Sequence, residues 1–515
     1  MMAVDRKLKL RATVLATAAL FACGTAAAAP AGRDEGKLLK LVQQLTERLD
    51  RLEQRNAELE RQVRQGQPPA ELGQRLQALE QQQTRLNQGL DSDNISELEP
   101  EITARLKAVE KDTLDMKKAS KKIDALDGLA VGVSLTTVIQ RPSGLPRGTA
   151  DGNSQLNYRA DVTAELPLES IGDVEQKLFA HFRLGQGLGL NGPFSNLGAF
   201  ASAPNAVAFR ASGASPDDSV AILGQAWYQA SIPLPFGGFK PRSRETLELT
   251  FGKMDLFGFF DQNAAAGDES RQFLNSVFVH NPMLDAGGQI GVDANGFQPG
   301  IVASYYDWSA KPETWRVSAG IFGTRRGANY QRYFSSPLFM AQLEASMKFF
   351  GGLTGNYRAY LWRNGQGLEL DGSLTQQAGW GVSADQRLGD GVTVFGRYGQ
   401  QTKGRVSFDR ALTLGAELSG SYWDRGGDAL GVAGAWLRAS DDYRTAGGSG
   451  DLNGDGTGVF TFTPVGAEKV AEIYYRYRIT KQFELSPDFQ YIWKLGANPD
   501  ARNASIVGLR AQITF

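Results

Sequence analysis

The chain has 515 residues and a formal net charge of -1, so nothing in its overall charge points to nucleic acid. With 42% hydrophobic residues, 60 glycines and a mean hydropathy of -0.31 it is too polar for a bundle of apolar helices, and no run beyond residue 30 offers the roughly 20 apolar residues of a spanning helix. One cysteine, Cys23, and two histidines, His181 and His280, exclude a Cys/His zinc site and leave no clustered nucleophile and base for an enzyme.

Residues 1–29 read as an export signal. Arg6, Lys7, Lys9 and Arg11 form a basic start, Ala12 to Ala22 a short apolar core, and Ala26 to Ala29 supply small residues for cleavage. Pro30 would hinder a cut directly before it, which favours cleavage after Ala28. Leu20-Phe21-Ala22-Cys23-Gly24 offers a rival, lipoprotein-like reading, weakened by the bulk of Phe21. Ordinary cleavage leaves a mature chain without cysteine, hence without disulfides.

Residues 30–127 read as an α-helical coiled-coil region. Leu38, Val42, Leu45, Leu49, Leu52, Asn56, Leu59 and Val63 are spaced alternately by four and three, an a/d seam in which Asn56 is the one polar member. Gly66, Pro68 and Pro69 interrupt it, and Pro100 breaks a second stretch. Charge on the other faces points to self-association, with a homotrimer the expected state.

From residue 128 to 515 the period becomes two. Leu509, Ala511, Ile513 and Phe515 alternate with Arg510, Gln512 and Thr514; Ala471, Ile473, Tyr475, Tyr477 and Ile479 alternate with Glu472, Tyr474, Arg476 and Arg478. About 16 such segments can be placed, from 129–140 to 504–515, and the connections between them alternate short and long. Short turns such as Phe350-Gly351-Gly352-Leu353 and long loops such as 185–220, 255–296 and 438–467 suit an antiparallel transmembrane β-barrel with short periplasmic turns and long external loops. Aromatics at strand ends (Tyr305, Tyr306, Trp308; Tyr422, Trp423) are expected in interface girdles, and a terminal Phe515 fits a bacterial outer-membrane strand. The predicted fold is thus mostly β, a barrel preceded by a coiled coil that hangs in the periplasm.

The stretch from Phe251 to Asn275 organises this reading. It begins as a strand, then breaks into a polar segment bearing Asp261, Asn263, Asp268, Glu269 and Arg271, which is expected to fold inward and narrow the lumen. GKMDLFGFFDQNAAAGDESRQFLN at 252–275, NPMLD at 281–285 and the run from Ala471 to Phe515 resemble the carbohydrate-selective porin family called OprB. The resemblance covers roughly 130–515 and not the coiled coil. It implies passive diffusion of small hydrophilic solutes, sugars first, across the outer membrane, by a homotrimer. Anions are an alternative because the inward positions are rich in arginine. A coiled coil that tethers the outer membrane to peptidoglycan or to a periplasmic protein is a further expectation.

Sugar hydroxyls need charged or amide partners, and a sugar ring face needs an aromatic one. The expected constriction residues are therefore Asp261, Asn263, Asp268, Glu269 and Arg271 from the loop. From the inward strand positions they are Arg316, Arg358, Tyr360, Trp362, Arg397, Glu472, Tyr474, Arg476, Arg478 and Arg510. No cofactor is implied. Asp451, Asn453 and Asp455 begin like a calcium loop, but the position of its closing carboxylate is Phe462, so a plain turn is the stronger reading.

Overall fold

The computed structural model describes residues 128–145, 151–195, 203–209, 218–235, 243–285, 296–324, 335–389, 391–449 and 462–515. The export signal, the coiled coil and the calcium candidate Asp451, Asn453 and Asp455 lie outside the described residues.

Sixteen antiparallel strands close into one barrel. They are β1 (Ala130–Ser143), β2 (Gln155–Ile171), β3 (Val174–Gln186), β4 (Val220–Leu234), β5 (Glu245–Asp255), β6 (Phe297–Asp307), β7 (Thr314–Phe322) and β8 (Leu338–Phe349). The second half comprises β9 (Leu353–Leu368), β10 (Leu374–Gly389), β11 (Val392–Lys403), β12 (Phe408–Ser419), β13 (Ala429–Ala439), β14 (Ala467–Arg478), β15 (Phe483–Trp493) and β16 (Ala504–Thr514). Each strand pairs with its neighbours in sequence, and β1 pairs with β16 from Ser134 opposite Thr514 to Ser143 opposite Ser505. Phe515 completes that seam, its N–H donating to the Val133 carbonyl at 2.8 Å. Closure leaves no unpaired strand edge, the condition for a sheet to cross lipid.

The connections sort to two ends. Gly172-Asp173 joins β2 to β3 and Phe350-Gly351-Gly352 joins β8 to β9, whereas the chain between β3 and β4 and between β5 and β6 is far longer. By the barrel rule the turn end is periplasmic and the loop end external.

Alternation along the strands assigns the two faces. Leu361, Leu414, Ile473, Phe489 and Val507 are exposed outward, while Arg358, Tyr360, Arg397, Glu472 and Arg510 point inward and are buried. An apolar band of this size would aggregate in water; lipid is the solvent that suits it. One expected girdle residue falls on the other face. Tyr306 points into the lumen, where its hydroxyl receives a hydrogen bond from Arg316 at 3.2 Å, because the girdle pattern was read from clustering rather than parity. Its neighbour Tyr305 packs outside against Trp315.

The lumen is not empty. Two apolar clusters fill part of it with side chains of the β5–β6 connection. Phe273, Val277, Phe278 and Met283 pack with Phe395, Val470 and Tyr474 of the wall. Leu256, Phe260 and Leu284 pack with Phe322, Met340, Tyr360 and Trp362. Inward glycines make room for rings laid across neighbouring strands. A Cβ on Gly381 would lie 2.6 Å from the Tyr360 ring, and one on Gly431 would lie 2.1 Å from Tyr474.

Candidate functional site: the lumen constriction

The chain from Asp255 to Asp285 folds as a succession of Asx turns. Asp255, Asn263, Asp268, Asn275 and Asn281 each accept a hydrogen bond from the backbone N–H two residues on, at 2.9–3.2 Å. Asp and Asn favour such turns because a short side chain mimics the backbone carbonyl. The Asn275 turn caps the short helix α1 (Ser276–Val279), and Asn281 precedes α2 (Pro282–Asp285).

This chain crosses the lumen and is held at both sides. On the β8–β11 side Asp261 adopts φ 51, a left-handed conformation that Asp tolerates better than most residues. Its carboxylate receives the Asn281 N–H at 2.7 Å, the Tyr360 hydroxyl at 3.1 Å and the Arg397 guanidinium at 3.2 Å. Arg397 also donates to the carbonyls of Asp261, Ala266 and Phe278, and neither side chain of the pair is exposed. Across the lumen Glu472 accepts the N–H groups of Leu274 and Asn275 at 2.6 and 2.9 Å. Arg510 donates to the carbonyls of Glu269 and Gln272, and Arg271 pairs with Glu484 at 2.6 Å.

A second segment folds inward beside the first. The Pro204 carbonyl accepts hydrogen bonds from Gln140 on β1 and Gln490 on β15, and the N–H of Ala206 donates to Leu274 O at 2.7 Å. Nothing in the composition of 203–209 signals this contact, since its partners lie on distant strands and on the other loop.

The arginines that remain on the wall are paired with carboxylates. Toward the turn end, Arg316, Glu344 and Arg358 stand directly opposite one another on β7, β8 and β9, and Asp385 on β10 closes the row. Glu344 bridges the two arginines, 3.2 Å from Arg358, and Asp385 is 2.8 Å from Arg358. A second group joins Glu417, Arg476, Glu484, Arg478 and Arg271 across β12, β14, β15 and the loop. A third lies nearer the loop end. Asp161 accepts from Arg159, His181 and Arg183 at 2.7 Å each, and Arg159 continues to Glu269 at 2.9 Å. Rings flank it: the Arg183 guanidinium sits 5.1 Å from the Phe297 ring centre, and Phe257 stacks on His280.

Two adjacent loop carboxyls differ in charge state preference. Burial and the neighbouring Glu269 raise Asp268 above the ordinary carboxylate range, against the pull of Arg510, the Ser270 N–H and Arg271. Burial would raise Glu269 too, but Arg159 and Arg183 outweigh it and hold Glu269 below its usual value. The hydrogen bonds that Arg271 donates to the Glu484 carboxylate raise Arg271 above its ordinary value.

The residues expected from sequence therefore divide. Asp261, Asn263, Arg358, Tyr360, Trp362, Arg397, Glu472, Tyr474 and Arg510 are buried, most of them in the contact between loop and wall. Asp268, Glu269, Arg271, Arg316, Arg476 and Arg478 keep accessible surface. Sequence reasoning missed Arg159, Asp161, His181 and Arg183, and the acidic partners Glu344, Asp385, Glu417 and Glu484. All of these occupy inward positions of their strands, so the parity that found the arginines could have found them.

The model of the carbohydrate-selective porin, OprB family, matches residues 158–515. The chain belongs to that family. The OprB-family match takes in the fourteen strands β3 to β16 whole and most of β2, and the fold is that of an outer-membrane channel, not of an enzyme. Among solved structures, OprB of Pseudomonas putida at high pH is 21% identical with a TM-score of 0.59, over 76% of this chain and 95% of that one. The low-pH structure of the same protein has 15% identity and a TM-score of 0.41, over 77% and 96%. A mutant porin of Rh. blastica has 12% identity and a TM-score of 0.42, over 75% and 100%. No match appears among curated protein sequences.

Proposed function

We propose that this OprB-family porin passes small sugars by passive diffusion through the lumen that its folded-in loop narrows. The observation that carries the reading is the pairing of lumen charges. A polyol needs donors and acceptors side by side, and rows such as Arg316–Glu344–Arg358–Asp385 supply both with little net field. The accessible members, Glu269, Arg271, Arg316, Arg476 and Arg478, are the solute contacts, with Arg183 and Phe257 beside them. Pairing also argues against a strong anion preference, which needs uncompensated cations. Single-channel recording in a planar bilayer, with ion selectivity and sugar titration, tests this. Stepwise conductance blocked by a sugar supports it; open steps with anion preference and no sugar block overturn it in favour of a general or anion-preferring pore.

The heptads of residues 30–127 carry a second proposal: a periplasmic coiled coil that holds a homotrimer together and tethers the barrel to peptidoglycan or a periplasmic protein. Deleting 37–126 separates the roles. Loss of the trimer marks an oligomerisation device, and intact conductance with a weakened envelope marks a tether.

A further inference from the structure

A groove of about 740 Å³ runs along the outer face of β13–β15 at the loop end, away from the lumen. Trp436 on β13, Lys469 on β14 and Trp493 on β15 stand directly opposite one another and form a Trp–Lys–Trp row. Lys494, Arg438 and Arg444 add further cations to the lining, which holds no carboxylate among the described residues. The two arginines are engaged by Asp409 and Asp441, whereas Lys469 and Lys494 have no ion pair among the described residues. One row toward the turn end the outward residues are Gly434, Ala471, Tyr491 and Ser505, so the two beside β13 and β14 are small. The row after that is Val432, Ile473, Phe489 and Val507, exposed and wholly apolar.

Cations and indoles at the rim, small residues below, and an apolar surface below those have one matching occupant. We propose that this groove binds a phosphate-bearing, multiply acylated lipid of the outer leaflet. Its phosphates meet Lys469 and Lys494, its glycan body lies between Trp436 and Trp493, and an acyl chain lies over the small residues Gly434 and Ala471. Charge complementarity fixes the headgroup, since tryptophans at the interface and basic side chains at headgroup level suit anionic lipid. Position fixes the leaflet, because the loop end is external. The site is on the lipid face, so it does not depend on which solute the channel carries.

The test is native mass spectrometry of the full chain in mild detergent, titrated with bisphosphorylated lipid A, dephosphorylated lipid A and phosphatidylethanolamine. The expected result is retention of the bisphosphorylated lipid in preference to the other two. K469Q/K494Q should weaken it by about 30-fold, each lysine at an anionic lipid surface contributing roughly fivefold, and K469R/K494R should restore it. Equal retention of phosphorylated and dephosphorylated lipid by the native chain overturns the proposal, and that comparison stands even if the glutamine variant does not fold. A change of oligomeric mass in K469Q/K494Q with lipid retention unaltered also overturns it, by making the groove a contact between copies of the chain.

Discussion

Two arginine–carboxylate pairs hold the same loop from opposite sides of the lumen, and they differ in what surrounds them. Arg397 and Asp261 are fully enclosed, and the guanidinium donates to a carboxylate and three carbonyls. Arg271 and Glu484 are linked more closely, at 2.6 Å, but Arg271 keeps 40% of its side-chain surface exposed. The same chemistry thus becomes a latch where water is excluded and a source of field where it is not. Residue type alone does not separate the two, and burial does.

The sharpest way to break that contrast is to remove the buried cation. R397A strands the Asp261 carboxylate inside the barrel and frees three loop carbonyls. A loss of about 3–5 kcal/mol is expected for an uncompensated buried charge. The measurement is denaturant unfolding in detergent together with single-channel recording, where the freed loop should give larger and noisier steps. D261N/R397M, neutral on both sides, should recover most of the stability. Unaltered unfolding and conductance in R397A would remove the latch.

A smaller effect is expected one strand away, where no charge is touched. G381V places a side chain where the Tyr360 ring now lies, at 2.6 Å from the new Cβ, and pushes the hydroxyl off Asp261. Overpacking of this kind costs about 1–3 kcal/mol. G434A on the lipid face, where the Cβ meets nothing closer than 3.9 Å, is the control and should shift stability by less than about 0.5 kcal/mol. Equal losses in both would mean that strand propensity, not the ring across Gly381, sets the effect.

These effects also mark how far the chain could be read before its structure was known. The strands were legible because apolar and polar residues alternate wherever one face meets lipid, and Arg510 and Glu472 fell on the inward face by parity alone. The ends of β9 and β10 run beyond the stretches where alternation is plain, 355–363 and 378–387, since Asn364, Gln366, Gln377 and the nearby glycines carry no apolar alternation. The latch of the loop was not legible. Asp261 and Arg397 are 136 residues apart, and no local pattern reports such a pair. The acidic partners were a different kind of miss. Glu344, Asp385, Glu417 and Glu484 obey the same parity as the arginines, and a search for both signs would have shown a paired lumen rather than a cationic one.

Acid should discriminate between the two adjacent loop carboxyls. Asp268 has a raised pKa in the folded chain, so its contribution favours the fold at low pH and is lost as pH rises through that pKa. Glu269 has a lowered pKa, so its contribution is present above the unfolded value and is lost as pH falls through the folded one. On acidification Asp268 therefore takes its proton first, while Glu269 still holds Arg159. Between the two titrations the loop should stay closed while the lumen loses one negative charge. The reversal potential in a salt gradient should move toward anion preference in that window, and D268N should abolish the shift. Loop opening before any change in selectivity would reverse the order of protonation.

Among the charged residues that hold the loop, the smallest change in stability, and the clearest readout of function, belongs to the exposed pair. R271Q should cost less than about 1 kcal/mol, because half-solvated ion pairs gain little and salt screens them. Glu484 is not stranded by the change, since Arg476 and Arg478 lie 4.0 and 3.8 Å away. What changes is the field on the solute path: one accessible cation is gone, and the reversal potential should move toward cations, by less as ionic strength rises. A fall in stability like that of R397A, with selectivity untouched, would place Arg271 among the latches. The opposite pattern, intact folding with altered selectivity and weaker block by sugar, places it at the solute, where exposure alone separates it from Arg397.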